Sequence, residues 1–123
     1  MGLTVYLIKK GEKVKCPCCE AHVFTHPDEQ VYRGGTTHNL VRMAEECGLY
    51  DSVWRPEEVG ISTAGALVPM LREGIDLLLS DPKKFKQWDS ENGWGTYEHF
   101  VRFCEEYLEA CKEYPDAIIE ADR

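Results

Sequence analysis

Apolar residues follow two different periods along the chain, and the change between them falls near residue 36. Before it, short runs of β-branched and aromatic residues are separated by turn-forming residues, which predicts strands. After it, apolar residues recur three or four positions apart, which predicts amphipathic helices. The segment from Thr36 to Gly48 joins the two parts, and we expect the chain to be organised around it.

The first third of the chain predicts two short antiparallel pairs of strands. Residues 3–8 have strand length and composition, and a lysine- and glycine-containing turn leads into residues 13–15, which predicts an opening hairpin. Residues 21–24 and 30–33 flank a proline-containing turn, which predicts a second pair. The two glycines at residues 34–35 are expected to end the strand before the first helix.

The first helix is predicted from its two ends and its apolar spacing. Thr36 or Thr37 is a suitable N-cap, because a threonine hydroxyl accepts a hydrogen bond from a backbone N–H in the first turn. Gly48 is a suitable end, because glycine adopts the left-handed conformation without strain. Between them one apolar stripe is formed by Leu40, Met43, Ala44 and Cys47.

The remainder predicts further helices and a closing strand. Helix starts are indicated by Ser62 or Thr63, by Asp81 and by Thr96. Pro69 is expected to kink or restart the first of these helices, because it lacks a backbone N–H. Residues 117–121 are apolar and β-branched, so we predict a last strand that pairs with an N-terminal strand.

These elements predict one α+β domain that spans residues 1–123. Its small antiparallel sheet, an N-terminal hairpin plus the C-terminal strand, is expected to pack with three to four helices. A chain of 123 residues with 43% hydrophobic residues is long enough and apolar enough to bury one core.

The charge of the chain restricts its partners. Asp and Glu total 22 against 14 Lys and Arg, which gives a formal net charge of -8. Such a surface repels a phosphate backbone, so direct nucleic-acid binding is not expected. The early apolar run at residues 3–8 is only strand-length, so we expect neither export nor membrane insertion, and we predict a cytoplasmic protein.

Cysteines and histidines cluster within residues 13–33 and predict a small zinc-binding β-turn. Cys16, Cys19, His22 and His26 provide thiolate and imidazole ligands at short spacing, as a structural zinc site requires. Cys18 is an alternative ligand. Free thiols and surface histidines are the simpler interpretation. A dithiol redox motif is disfavoured, because the residues after the cysteines have strand rather than helix character.

Polar and aromatic residues at two separate places predict a ligand site. His38, Asn39 and Arg42 surround the first turn of the first helix, and Trp94 and Tyr97 belong to a glycine-flanked loop and the helix start after it. These residue types combine apolar area, hydrogen-bonding groups and positive charge, which suits a small polar ligand. The competing interpretation gives the same side chains a purely structural role.

Several motifs resemble a group of small uncharacterised proteins from bacteria and their phages. The similarity runs from Val31 to the C-terminus and is carried by Thr37-His38-Asn39-Leu40-X-X-Met43-Ala44, Gly48-Leu49-Tyr50, Trp54-Arg55-Pro56-Glu57-Glu58 and Asn92-Gly93-Trp94-Gly95-Thr96-Tyr97-Glu98. The resemblance implies no established activity. It also implies a Cys-Pro-X-Cys-Gly turn ahead of these motifs, in which Glu20 of this chain replaces the glycine.

The sequence favours a non-enzymatic binding protein for a small polar ligand or a host protein partner. It contains neither a nucleophile elbow nor a phosphate-binding glycine loop. One alternative is a metal-dependent hydrolase, in which zinc activates water and His38 or a nearby glutamate moves protons. A second alternative is a structural or protein-interaction module without a small ligand. The oligomeric state is left open.

Overall fold

The computed structural model describes residues 2–11, 13–15, 22–24, 28–89, 91, 93 and 95–123, with the backbone alone at 13–15 and 22–24. The strands are β1 (Gly2–Lys9), β2 (Lys13–Lys15), β3 (His22–Phe24), β4 (Glu29–Thr37) and β5 (Ile118–Asp122). The α-helices are α1 (Val41–Glu46), α2 (Tyr50–Trp54), α3 (Ala64–Ser80), α4 (Pro82–Lys86) and α5 (Tyr97–Glu113). Two 3₁₀-helices are formed by His38–Leu40 and Pro56–Val59.

An antiparallel sheet with strand order β4-β1-β5 and the helices around it make an α+β fold, as the sequence predicts. β1 is the central strand, and its alternate residues Leu3, Val5 and Leu7 are buried. β5 pairs with β1 through partners such as Leu7 and Ile119, which confirms the predicted pairing of the last strand with an N-terminal strand.

The predicted strand pairs of the first third are wrong. β1 pairs with β4 and β5, whereas β2 pairs with β3 in a separate two-stranded sheet. A strand of three residues such as β2 offers few ladder hydrogen bonds, and the nine-residue β4 matches nearly the whole of β1. The glycines at 34–35 do not end the strand, since they pair with Val5 and Thr4 inside β4.

The helix starts agree with the capping signals. The side chain of Asp81 accepts a hydrogen bond from the N–H of Lys84 at 3.2 Å. The side chain of Thr96 accepts from the N–H of His99 at 3.3 Å. α3 runs through Pro69 as one helix of 17 residues and does not restart. Pro69 removes one backbone N–H from the helix, but the helix continues because its buried apolar stripe stabilises it.

The core lies between one face of the sheet and the helices α3 and α5. Its largest fully buried side chains include Trp54, Phe100 and Tyr107, and the apolar stripe of α3 is buried beside them. Burial of these aromatic and aliphatic side chains is the main source of stability in a domain of this size. Among the helices that the structure describes, none is long and apolar enough to cross a membrane.

Candidate functional site

The first turn after β4 forms as its sequence predicts. Thr37 is the N-cap, and its hydroxyl accepts a hydrogen bond from the backbone N–H of Asn39 at 3.3 Å. The 3₁₀-helix then continues into α1, and Gly48 follows with a φ of 79°. The predicted apolar stripe of this segment is buried throughout. Its polar first turn is therefore held at a fixed position on the surface of the core.

His38 is connected to the interior of the fold. Its Nδ1 accepts a hydrogen bond from the indole Nε1–H of Trp54 at 3.1 Å, and Trp54 is buried. The same tryptophan stacks on Tyr50, and its backbone carbonyl accepts a hydrogen bond from Arg123 at 2.7 Å. A buried indole N–H needs an acceptor, and His38 provides it. This contact supports the structural role of His38.

Arg42 and Asn39 are exposed on the outside of the same turn. The guanidinium of Arg42 pairs with Glu46 at 3.0 Å, one helical turn further on. It also lies 5.6 Å from the ring centroid of Trp88, which is within cation–π distance. The sequence did not predict Trp88 as a neighbour of this turn, because the contact joins residues far apart in the chain.

The glycine loop reaches the first turn through Gly95. Gly93 and Gly95 have φ values of 76° and 109°, as expected for glycines in a shaped loop. The Asp89 side chain closes the loop by accepting a hydrogen bond from the N–H of Tyr97 at 2.7 Å. A Cβ on Gly95 would lie 2.6 Å from Cγ2 of Thr37, so the backbone of Gly95 packs closely against the Thr37 side chain. Trp94 lies outside the described residues.

Tyr97 is part of the core rather than of an open site. Its side chain is buried, and its hydroxyl donates to the carbonyl of Leu78 at 2.8 Å, which ties the start of α5 to α3. Burial raises the pKa of this hydroxyl, while the Lys86 ammonium, 5.6 Å from the ring centroid, opposes the shift. The structure therefore brings the loop and the first turn together, but it uses Tyr97 and His38 to hold the fold.

The predicted zinc ligands Cys16, Cys19 and His26, and the alternative Cys18, lie outside the described residues. The backbone of His22 belongs to β3, where it pairs with Lys15 of β2. The cysteine segment therefore lies in the sequence between two strands that pair with each other. Within the described part of the chain, no group of three or more His, Cys, Asp or Glu side chains could hold a metal ion.

A groove along α3 was not predicted from the sequence. Its volume is about 350 Å³, and α3 forms one wall while α2 and the second 3₁₀-helix form the other. Val59, Met70 and Leu77 line it and are 46%, 40% and 45% exposed. They are three of the four large apolar side chains exposed in the described chain. We call this feature the α2–α3 groove.

The depth of the α2–α3 groove depends on Gly74. A Cβ at this position would overlap the side chain of Leu49, so glycine lets the start of α2 pack directly on the α3 backbone. Cys47 lines the same groove and is buried, and its burial raises the pKa of the thiol to about 11. A thiol with such a pKa is almost entirely protonated at neutral pH, so nucleophilic chemistry is not favoured there.

The sequence does contain a signal for the groove. α3 has a buried stripe that includes Leu67 and Leu71, and Met70 and Leu77 form a second apolar line on its exposed side. A helix that is apolar on two sides needs a second partner. The α3 pattern alone does not reveal the groove, because the wall opposite α3 comes from residues that are distant in sequence.

No protein-family model matches this chain, and no curated protein and no solved structure matches it.

Proposed function

We propose that this protein is a non-enzymatic interaction module that binds an apolar helical segment of another protein in the α2–α3 groove. The observation that carries the proposal is the concentration of Val59, Met70 and Leu77 in one groove, while the residues that the structure describes expose only one other large apolar side chain, Leu79. Exposed apolar side chains that cluster in a groove are typical of protein-binding surfaces.

The spacing along α3 fits a helical partner. Met70 and Leu77 are seven residues apart, which corresponds to about 10 Å along the helix axis. A partner helix with apolar residues at positions i, i+3 or i+4, and i+7 covers the same length. Gly74 lies between the two and also lines the groove, and the space beside it is filled by the side chain of Leu49, which packs the start of α2 against α3.

A second copy of this chain is the less suitable occupant. The chain has a net charge of -8, and Asp51 and Glu73 line the groove, so two copies would bring like charges together. The partner is therefore a different protein. The resemblance to small bacterial and phage proteins supports a host protein in that role, with the module acting by sequestration or inhibition.

The test uses a designed helical peptide with a leucine stripe and otherwise neutral polar residues, titrated by fluorescence anisotropy. Leu77→Ser is expected to weaken binding about tenfold or more, since it removes an apolar wall. Leu79→Ser is the matched control, because Leu79 lies on the same helix, is 52% exposed and is outside the groove lining. Absence of binding, or equal loss in both variants, would contradict the proposal.

A small polar ligand at the first turn is the second candidate function. It is favoured by the close approach of Gly95 to Thr37, which makes the glycine loop and the exposed Asn39 and Arg42 parts of one surface. A thermal-shift screen against nucleotides compares the parent protein with Asn39→Ala and Trp94→Ala. A ligand bound there stabilises the parent more than either variant. Equal shifts in all three proteins remove this candidate.

The third part of the proposal is a structural zinc bound by Cys16, Cys19, His22 and His26. Its support is the pairing of Lys15 with His22, which makes the cysteine segment the connection of a two-stranded sheet. Elemental analysis is expected to find one zinc per chain, lost in Cys16→Ser and retained in Cys18→Ser. The reverse result would make Cys18 the ligand, and a folded protein without zinc would contradict the site. A saturated tetrahedral spectrum after cobalt substitution would exclude the hydrolase alternative.

A further inference from the structure

We infer that the helix bound in the α2–α3 groove is cationic, with Lys or Arg residues on both sides of its apolar stripe. This inference rests on the proposed function and adds the chemical class of the partner. It comes from the charged residues of the groove, whereas the proposed function comes from the apolar ones.

Both walls of the groove carry a carboxylate. Asp51 comes from α2 and Glu73 from α3, and both side chains are exposed. Neither takes part in an ion pair with another residue that the structure describes. In contrast, acidic residues at the start of the second 3₁₀-helix (Pro56–Val59) form ion pairs, for example Glu57 with Arg123 at 2.6 Å. Among the residues that the structure describes, no Lys or Arg side chain lines the groove.

The cost of covering these carboxylates decides which partner fits. A helix that fills the groove removes water from Asp51 and Glu73, and a desolvated carboxylate without a partner is unfavourable. Lys and Arg side chains offset this cost, because their aliphatic stems cover apolar surface while the charged ends reach the rim. A partner helix with neutral residues beside its apolar stripe does not offset the desolvation cost, and one with acidic residues there is also repelled by the two carboxylates.

The charge of the whole chain acts in the same direction. A net charge of -8 attracts a cationic segment from beyond contact distance and increases its association rate at low salt. The same charge repels anionic lipid surfaces, so a basic protein helix is favoured over a membrane as the occupant.

The experiment uses three peptides with the same length and leucine stripe, flanked by Lys, by Gln or by Glu. The Lys peptide is expected to bind about tenfold more tightly than the Gln peptide at low salt, with the Glu peptide weakest. Raising the salt concentration is expected to reduce the difference, because rim charges are screened.

The variant Asp51→Asn/Glu73→Gln is expected to abolish the preference for Lys, and the Gln peptide should bind this variant more tightly than the parent, because neutral amides cost less to desolvate than carboxylates. Its control is Glu105→Gln/Glu106→Gln on α5, which changes the net charge equally away from the groove. Equal binding of the three peptides to the parent protein overturns the inference and leaves the proposed function intact. An equal reduction of the preference for Lys in the two double variants also overturns the inference, since the preference then reflects net charge alone. Failure of all three peptides to bind overturns both.

Discussion

The indole Nε1–H of Trp54 donates to Nδ1 of His38 across 3.1 Å and joins the end of α2 to the first turn after β4. His38 is one of the residues predicted for the ligand site, whereas Trp54 is not. Their contact stabilises the position of α2, which forms one wall of the α2–α3 groove. The histidine therefore contributes to the shape of the groove.

We expect His38→Phe to lower the free energy of unfolding by about 1–3 kcal/mol, because the buried indole N–H loses its acceptor. Urea denaturation measures the change. His99→Phe is the control, since His99 is exposed on α5, and its effect should stay within about 0.5 kcal/mol. Equal effects of the two substitutions would show that the hydrogen bond contributes nothing.

Gly95→Ala is expected to destabilise the protein more than Gly93→Ala. Both glycines have positive φ values, 109° and 76°, so both substitutions introduce backbone strain of about 1–2 kcal/mol. Only at Gly95 would the new Cβ meet a neighbour, Cγ2 of Thr37 at 2.6 Å, whereas Gly93 has open space. Thermal denaturation compares the two variants.

The same contact predicts a rescue. Thr37→Ser removes Cγ2 and keeps the capping hydroxyl that accepts from the N–H of Asn39. In the Gly95→Ala background it should recover part of the lost stability. A double variant that is no more stable than Gly95→Ala alone would contradict the packing of the loop on the first turn.

Tyr107→Phe and Tyr97→Phe should have opposite effects. The Tyr107 hydroxyl is buried without a hydrogen-bond partner in the described structure, so its removal should be neutral or stabilise the fold by about 1 kcal/mol. The Tyr97 hydroxyl donates to Leu78, so its removal should destabilise the fold by about 1 kcal/mol. Chemical denaturation of both variants in one buffer gives the comparison. A loss of stability in Tyr107→Phe would indicate a hydrogen bond in solution.

Stability should fall in alkaline solution. Burial raises the pKa of Cys47 from 9.0 to about 11 and that of Cys111 from 9.0 to about 12. Below pH 9 both thiols keep their protons in the folded and unfolded chains, so they cause no pH dependence. Above it the unfolded chain loses protons that the folded chain keeps, and unfolding becomes more favourable until the folded thiols ionise.

The ionisation of Cys47 is expected to lower the free energy of unfolding by about 2–3 kcal/mol between pH 9 and about 11. The measurement is urea denaturation with reductant present at a series of pH values. Cys47→Ala lowers stability at neutral pH, because it leaves a cavity, but it should flatten the alkaline decline. An unchanged decline in this variant would show that Cys47 does not titrate as its burial implies.

Local signals in the sequence predicted the elements well. Asp81 and Thr96 cap their helices because each needs only a backbone N–H within one turn. The strand partners were harder to predict, because the pairing of β1 with β4 depends on the lengths and burial of strands that are far apart in the chain. The three-residue β2 follows β1 in sequence and was predicted as its hairpin partner, but the nine-residue β4 pairs with β1 instead.

The candidate sites show the same division. The sequence identified the first turn and the glycine loop, and Gly95 does bring them together. It did not reveal that His38 and Tyr97 use their polar atoms inside the fold, since their partners Trp54 and Leu78 are many residues away. For the α2–α3 groove, the second apolar line of α3 is a local signal, but the packing of Leu49 on Gly74 joins residues that are distant in sequence.

The pairing of β1 with β5 has a consequence for synthesis on the ribosome. Ile118 emerges more than a hundred residues after Ile8, yet the two are partners in the sheet. One edge of the central strand therefore stays open while the residues between them are synthesised, and loop closure over this distance slows its completion. The nascent chain depends on the helices, or on a chaperone, to keep that edge from pairing with another chain.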